Sequence, residues 1–73
     1  MIVYIWQGQR HKRLESRRIF VNETPGRDIY ELVALALGRS FLNETDPLLW
    51  LSKNGIKKII REENYDSSIE AEL

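Results

Sequence analysis

Two short runs of apolar, β-branched and aromatic residues, Met1-Ile2-Val3-Tyr4-Ile5-Trp6 and Arg17-Arg18-Ile19-Phe20-Val21-Asn22, flank a polar basic connection and lead into a helix start at Thr24-Pro25. Strand, strand and capped helix in this order commit the first half of the chain to a mixed α+β domain. In the first run Met1, Val3 and Ile5 fall on one face and Ile2, Tyr4 and Trp6 on the other, so neither face is polar and the run reads as a central strand. Gln7-Gly8-Gln9 supplies turn chemistry, and the stretch from Arg10 to Glu15 either extends a hairpin or forms its loop. The second run alternates more cleanly. Ile19 and Val21 share one side, which leaves Arg18, Phe20 and Asn22 on the other, with Arg18 and Phe20 as candidates for an exposed face.

The helix signal combines several local effects. Thr24 as N-cap and Pro25 at the first helical position would satisfy or avoid orphan backbone N–H groups, and Asp28 and Glu31 suit the positive end of the macrodipole. Ile29, Leu32, Val33, Ala36 and Leu37 follow helical spacing, and Gly38 can take the left-handed conformation that stops a helix.

After Gly38 the residues support two structures. Leu48-Leu49-Trp50-Leu51-Ser52-Lys53 and Ile56-Lys57-Lys58-Ile59-Ile60-Arg61 form a hairpin if Asn54-Gly55 is a type I′ turn, since both residues tolerate positive φ. Alternatively Asp46-Pro47 opens a helix with an apolar stripe through Leu48, Leu51, Ile56, Ile59 and Ile60, which aligns Lys53, Lys57 and Arg61. A glycine inside that helix would cost about 1 kcal/mol relative to alanine, so the hairpin is the preferred reading.

A chain of 73 residues holds one core and leaves no room for a deep cleft. The expected organisation is a single domain over residues 1–65 followed by an acidic C-terminal tail over 66–73. With no cysteine, disulfides and thiolate metal sites are excluded. The first apolar run is too short for a signal or membrane segment, which makes a cytoplasmic protein the expectation. Asn22-Glu23-Thr24 and Asn43-Glu44-Thr45 match glycosylation sequons but read as helix or turn starts.

The net charge of zero conceals a strong asymmetry. Between Arg10 and Arg18 five cations face only Glu15, a net charge of +4, whereas residues 62–73 carry five carboxylates and no cation. This polarity favours steered association with an acidic partner, but falls short of the overall basic charge of a dedicated nucleic-acid binder. It also allows the acidic segment to fold back over the basic strand, and charges on an edge strand serve in their own right to discourage aggregation.

No arrangement of residues suggests catalysis. His11, the single histidine, lies among Arg10, Lys12 and Arg13, a setting that disfavours a base or metal ligand. The carboxylates are scattered, the serines lack a nucleophile context, and Gly8, Gly26, Gly38 and Gly55 are too dispersed for a phosphate loop. A non-enzymatic protein without cofactor or metal is expected. Tyr4, Trp6 and Phe20 interleave with basic residues as a single-stranded nucleic-acid platform would, although core packing also accounts for Tyr4 and Trp6.

The order strand, strand, helix, then a strand pair around Asn54-Gly55 resembles the ubiquitin-like β-grasp fold, in particular Ras-association domains and the first lobe of FERM modules. The residues that carry the likeness are Ile19-Phe20-Val21-Asn22-Glu23-Thr24 before the helix, the apolar helix from Asp28 to Gly38, and the stretch from Leu48 to Glu63. The likeness covers about residues 1–65, and the usual final strand is replaced by the short acidic Ser68-Ile69-Glu70-Ala71-Glu72-Leu73. It implies a monomeric protein-interaction module that adds the edge of its second strand to a GTP-bound Ras-family GTPase, with basic residues meeting acidic switch-region carboxylates. Arg10, Lys12, Arg13, Arg17, Arg18, Phe20 and Arg27 occupy matching regions and are the candidate partner-binding residues.

A ribbon-helix-helix DNA-binding dimer with an extra N-terminal strand is the alternative. In it Arg18, Phe20 and Asn22 would face bases in the major groove, followed by helices over 25–38 and 46–63.

Overall fold

The computed structural model describes residues 1–8, 13–65 and 69–73. In chain order the elements are β1 (Ile2–Gln7), β2 (Glu15–Phe20), α1 (Ile29–Ala36), α2 (Pro47–Lys53), β3 (Ile56–Arg61), a 3-10 turn at Glu62–Asn64 and β4 (Ala71–Glu72). The strands form one antiparallel sheet in the order β2-β1-β3-β4, with both helices packed on it. This is an α+β domain whose coarse topology is compatible with β-grasp-like arrangements.

β1 is central, as its two apolar faces imply, flanked by β2 and β3. Val3 and Ile5 are fully buried beneath the helices, while Ile2, Tyr4 and Trp6 alternate onto the opposite face and are half-buried. β2 begins two residues earlier than expected. Its pairing nevertheless runs on, since Val21 N–H donates to Met1 O at 2.8 Å and the Met1 amino group to Val21 O at 3.0 Å.

The first helix starts later than Thr24-Pro25 suggests. Pro25 and Gly26 are instead the central residues of a turn, closed by Arg27 N–H donating to Thr24 O at 3.2 Å, with Gly26 at φ +83°. A type II turn needs this backbone at its third residue, and it is incompatible with a helix. The true N-cap is Asp28, whose Oδ1 accepts from Glu31 N–H at 2.8 Å. Ile29, Leu32, Val33 and Ala34 then face the core, and Ala36 is exposed. At the other end Arg39 N–H donates to Ala34 O and Gly38 N–H to Leu35 O, with Gly38 at φ +119°: the Schellman closure that Gly38 promises.

The expected strand pair around Asn54-Gly55 is corrected to a helix followed by a strand. Asp46 Oδ1 caps α2 by accepting from Leu48 and Leu49 N–H, Pro47 fills the first turn, and Leu51 is the fully buried anchor. Asn54 has φ −94° and Gly55 φ +82°, so only the glycine is left-handed. The pair therefore stops a helix instead of turning a hairpin. The same finding removes the second helix of the ribbon-helix-helix alternative: helix persists only to Lys53, and the β-branched Ile56, Ile59 and Ile60 lie in β3.

Within residues 66–73, Ala71–Glu72 is β4 on β3, and Leu73 packs against the core. Arg39 ties the connection between the helices by donating to the carbonyls of Asn43 and Thr45 at 2.8 and 2.7 Å. Within that connection, Asn43 Oδ1 accepts from Thr45 N–H, so this sequon forms a turn.

Candidate functional site

β2 is the terminal strand of the sheet, and its outer edge has no strand partner among the described residues. Five of its six residues, Ile19 excepted, are exposed. Register fixes where its side chains go. Arg17 pairs with Ile5 and so belongs to the helix-covered side, where at the rim its Nη2 donates to Gln7 Oε1 at 3.4 Å. Arg18 pairs with Tyr4 and lies on the uncovered side. The two arginines thus straddle the free edge, one on each face.

Phe20 pairs with Ile2 at the far end of the edge and is 66% exposed, a large apolar side chain beside a basic strip. Arg13 is exposed just before the strand. Arg10 and Lys12, with His11, lie outside the described residues. Arg27 forms an ion pair with Glu31 and lies over the Phe41 ring at 4.5 Å, and Phe41 lines a depression together with Phe20. Arg13, Arg17 and Arg18 follow the edge, and Arg27 is connected to its Phe20 end through Phe41.

On the uncovered face the rings of Tyr4, Trp6 and Tyr65 pack together, with centroids 4.7 Å apart for Tyr4 and Tyr65 and 6.2 Å for Trp6 and Tyr65. The second apolar face of β1 is thus satisfied by Tyr65 and not by a second layer of helices. Glu62 Oε1 borders this cluster and accepts from both Arg18 Nε at 3.0 Å and the Tyr4 hydroxyl at 3.3 Å. That hydrogen bond, then the carboxylate's charge, raises the Arg18 pKa above its ordinary value. One acidic residue of the C-terminal half does reach the basic strand, whereas Glu70 turns to Arg61 at 3.6 Å and Glu72 lies on β4 at the opposite edge.

Several basic residues escaped sequence reasoning because they join the site only through tertiary structure. Gly8 N–H donates to Gly55 O at 2.8 Å, and Gln7 Nε2 donates to Asn54 O at 3.0 Å. These bonds bring the end of α2 and the start of β3 against the end of β1, and with them Lys53, Lys57 and Lys58. The available signal was the helical stop at Asn54-Gly55, whose backbone meets Gln7 and Gly8 at the end of β1.

Among the described residues there is no group of metal-ligating side chains and no helix long and apolar enough to cross a membrane. A shallow depression lined by Met1, Thr24, Arg27, Asp28, Tyr30 and Arg61 lies beside the approach to α1, away from the β2 edge. Comparison with protein-family models, curated proteins and solved structures returns no match.

Proposed function

We propose that this domain is a non-enzymatic, cytoplasmic protein-interaction module that binds an acidic partner along the free edge of β2, and that the partner class is a GTP-bound Ras-family GTPase. The observation that carries the reading is a single one: an exposed strand edge, without a strand partner among the described residues, straddled by Arg17 and Arg18. Such an edge offers backbone N–H and C=O groups to an incoming strand, while the arginines select carboxylates on either side of it. Phe20 adds an apolar contact at one end of the strip. The GTPase assignment rests on the resemblance of the first half of the chain to Ras-association modules.

Titration against GTP-loaded Ras-family proteins is the direct test. Saturable binding is expected at low salt, weakening as salt rises. Arg17→Glu and Arg18→Glu should each reduce affinity by about threefold to tenfold, since each turns an exposed attraction into a repulsion. No binding at low salt would exclude the GTPase, and unchanged affinity in both variants would move the site off this edge.

A further inference from the structure

The basic character of the molecule does not end at the β2 edge. At the end of the sheet where β1 finishes, Arg13 and Arg17 from the first hairpin meet Lys53, Lys57 and Lys58 from the α2–β3 junction. Four contacts hold the segments together: the Gly8 to Gly55 backbone bond, the Gln7 amide on Asn54 O, Arg17 on Gln7 Oε1, and the pairing of Trp6 with both Ser16 and Lys58. The Lys57 stem runs along Gly8, 3.8 Å from where a Cβ would stand there. A β-bulge at this point, where the partner of Trp6 is Lys58 but that of Gln7 is Ile56, leaves Lys57 outside the regular ladder and exposed.

Among the described residues these five cations face two carboxylates at the same end, Glu15 and Glu72, for a net charge of +3. Lys53, Lys57, Lys58 and Arg13 form no ion pair among the described residues. At the opposite end of the strands the pattern reverses: Glu23, Glu62, Glu63 and Glu70 gather around Arg61. Among the described residues, charge is therefore separated along the strand direction.

We propose that this basic end, and Lys53 and Lys57 in particular, is a second contact surface for the same acidic protein partner, a proposal that rests on the acidic-partner reading of the β2 edge. β3 lies only two strand spacings from β2, about 10 Å. A partner covering about 800 Å² near Glu15 spans more than that distance, so the lysines lie within its reach. Their chemistry favours this occupant. Ammonium groups on flexible stems suit the dispersed carboxylates of an acidic protein surface, and the neutral balance of the uncovered face, where Arg18 is held by Glu62 and Lys58 stands opposite Glu72, does not suit a continuous phosphate backbone.

A polyglutamate peptide and a single-stranded oligothymidylate serve as probes, with binding followed at low and high salt. The wild-type chain should bind polyglutamate at low salt, and the Lys53→Glu/Lys57→Glu double variant should bind it about fivefold to tenfold more weakly. Arg61→Gln, a change at the opposite, acidic end of the strands, should alter affinity by less than about twofold. Equal binding by the double variant, or an equal loss in Arg61→Gln, would overturn the proposal. Absence of wild-type polyglutamate binding would overturn it as well, and tighter binding of oligothymidylate would assign this end to nucleic acid instead. The edge reading is decided separately, by the GTPase titration and the Arg17 and Arg18 variants, so a failure of one is distinguishable from a failure of the other.

Discussion

Gly55 concentrates the consequences of one residue's geometry. Its φ of +82° belongs to the left-handed region, and a Cβ there would stand 2.5 Å from Gly8 O, a backbone atom that cannot swing aside. Gly55→Ala should therefore lower stability by more than the about 1 kcal/mol that the backbone alone demands, visible as a fall in the urea midpoint with an unchanged m-value. Gly26 provides the comparison: φ is +83° but nothing lies within 4 Å, so Gly26→Ala should cost only the about 1 kcal/mol of backbone strain. Sequence alone identified Gly55 as a positive-φ position and still assigned it the wrong task. Asn-Gly is favourable both as a hairpin turn and as the end of a helix, and the choice depends on Leu51 finding a buried site on the sheet, which no local signal reports.

Helix starts separate what was legible at the level of elements from what was not. α1 was readable in its apolar spacing and in Gly38, because both effects are local, but its first residue was misplaced. Thr24-Pro25 has the chemistry of a cap, and Gly26 makes it a turn. The two assignments predict opposite mutational patterns. Asp28→Ala should destabilise by about 1 kcal/mol through loss of the bond to Glu31 N–H, whereas Thr24→Ala, whose carbonyl and not its side chain closes the turn, should stay within about 0.5 kcal/mol. Equilibrium denaturation of the two variants in parallel decides between them. α2 depends more on packing than on its cap. Seven residues are too few for a helix stable in isolation, and Leu51 is its one fully buried side chain, so Leu51→Ala should cost about 2–5 kcal/mol. That loss is comparable to the whole stability of about 3–5 kcal/mol expected of a core this small, and cooperative thermal unfolding should disappear. Leu49→Ala, at a half-exposed position on the same helix, should leave the transition nearly in place.

The molecule as a whole is a slab, 31 × 29 × 17 Å, with helices on one side of the sheet and a ring cluster on the other. The candidate edge was legible in part: the basic run and the second strand could be read from the chain, but the lysines of the α2–β3 junction and the carboxylate facing Arg18 come from residues far along the sequence. Glu62 is the more consequential of these. It is already placed on Arg18 as an acidic partner's carboxylate would be, while also accepting from Tyr4. A partner that engages Arg18 must therefore displace an intramolecular competitor, at a cost limited by the exposure of the pair, whose side chains are 57% and 43% accessible. Glu62→Gln keeps the shape and an acceptor oxygen but removes the charge. Affinity for an acidic partner at low salt should then rise by about twofold to fivefold, with the gain shrinking as salt is added. The double variant Glu62→Gln/Arg18→Gln should show no such gain over Arg18→Gln, because without the guanidinium there is no contact for Glu62 to occupy. Calorimetric titration of the four proteins closes this cycle. A fall in affinity on Glu62→Gln would show instead that Glu62 aims Arg18 at the partner, while an equal gain with and without Arg18 would mean that the carboxylate repels the partner directly.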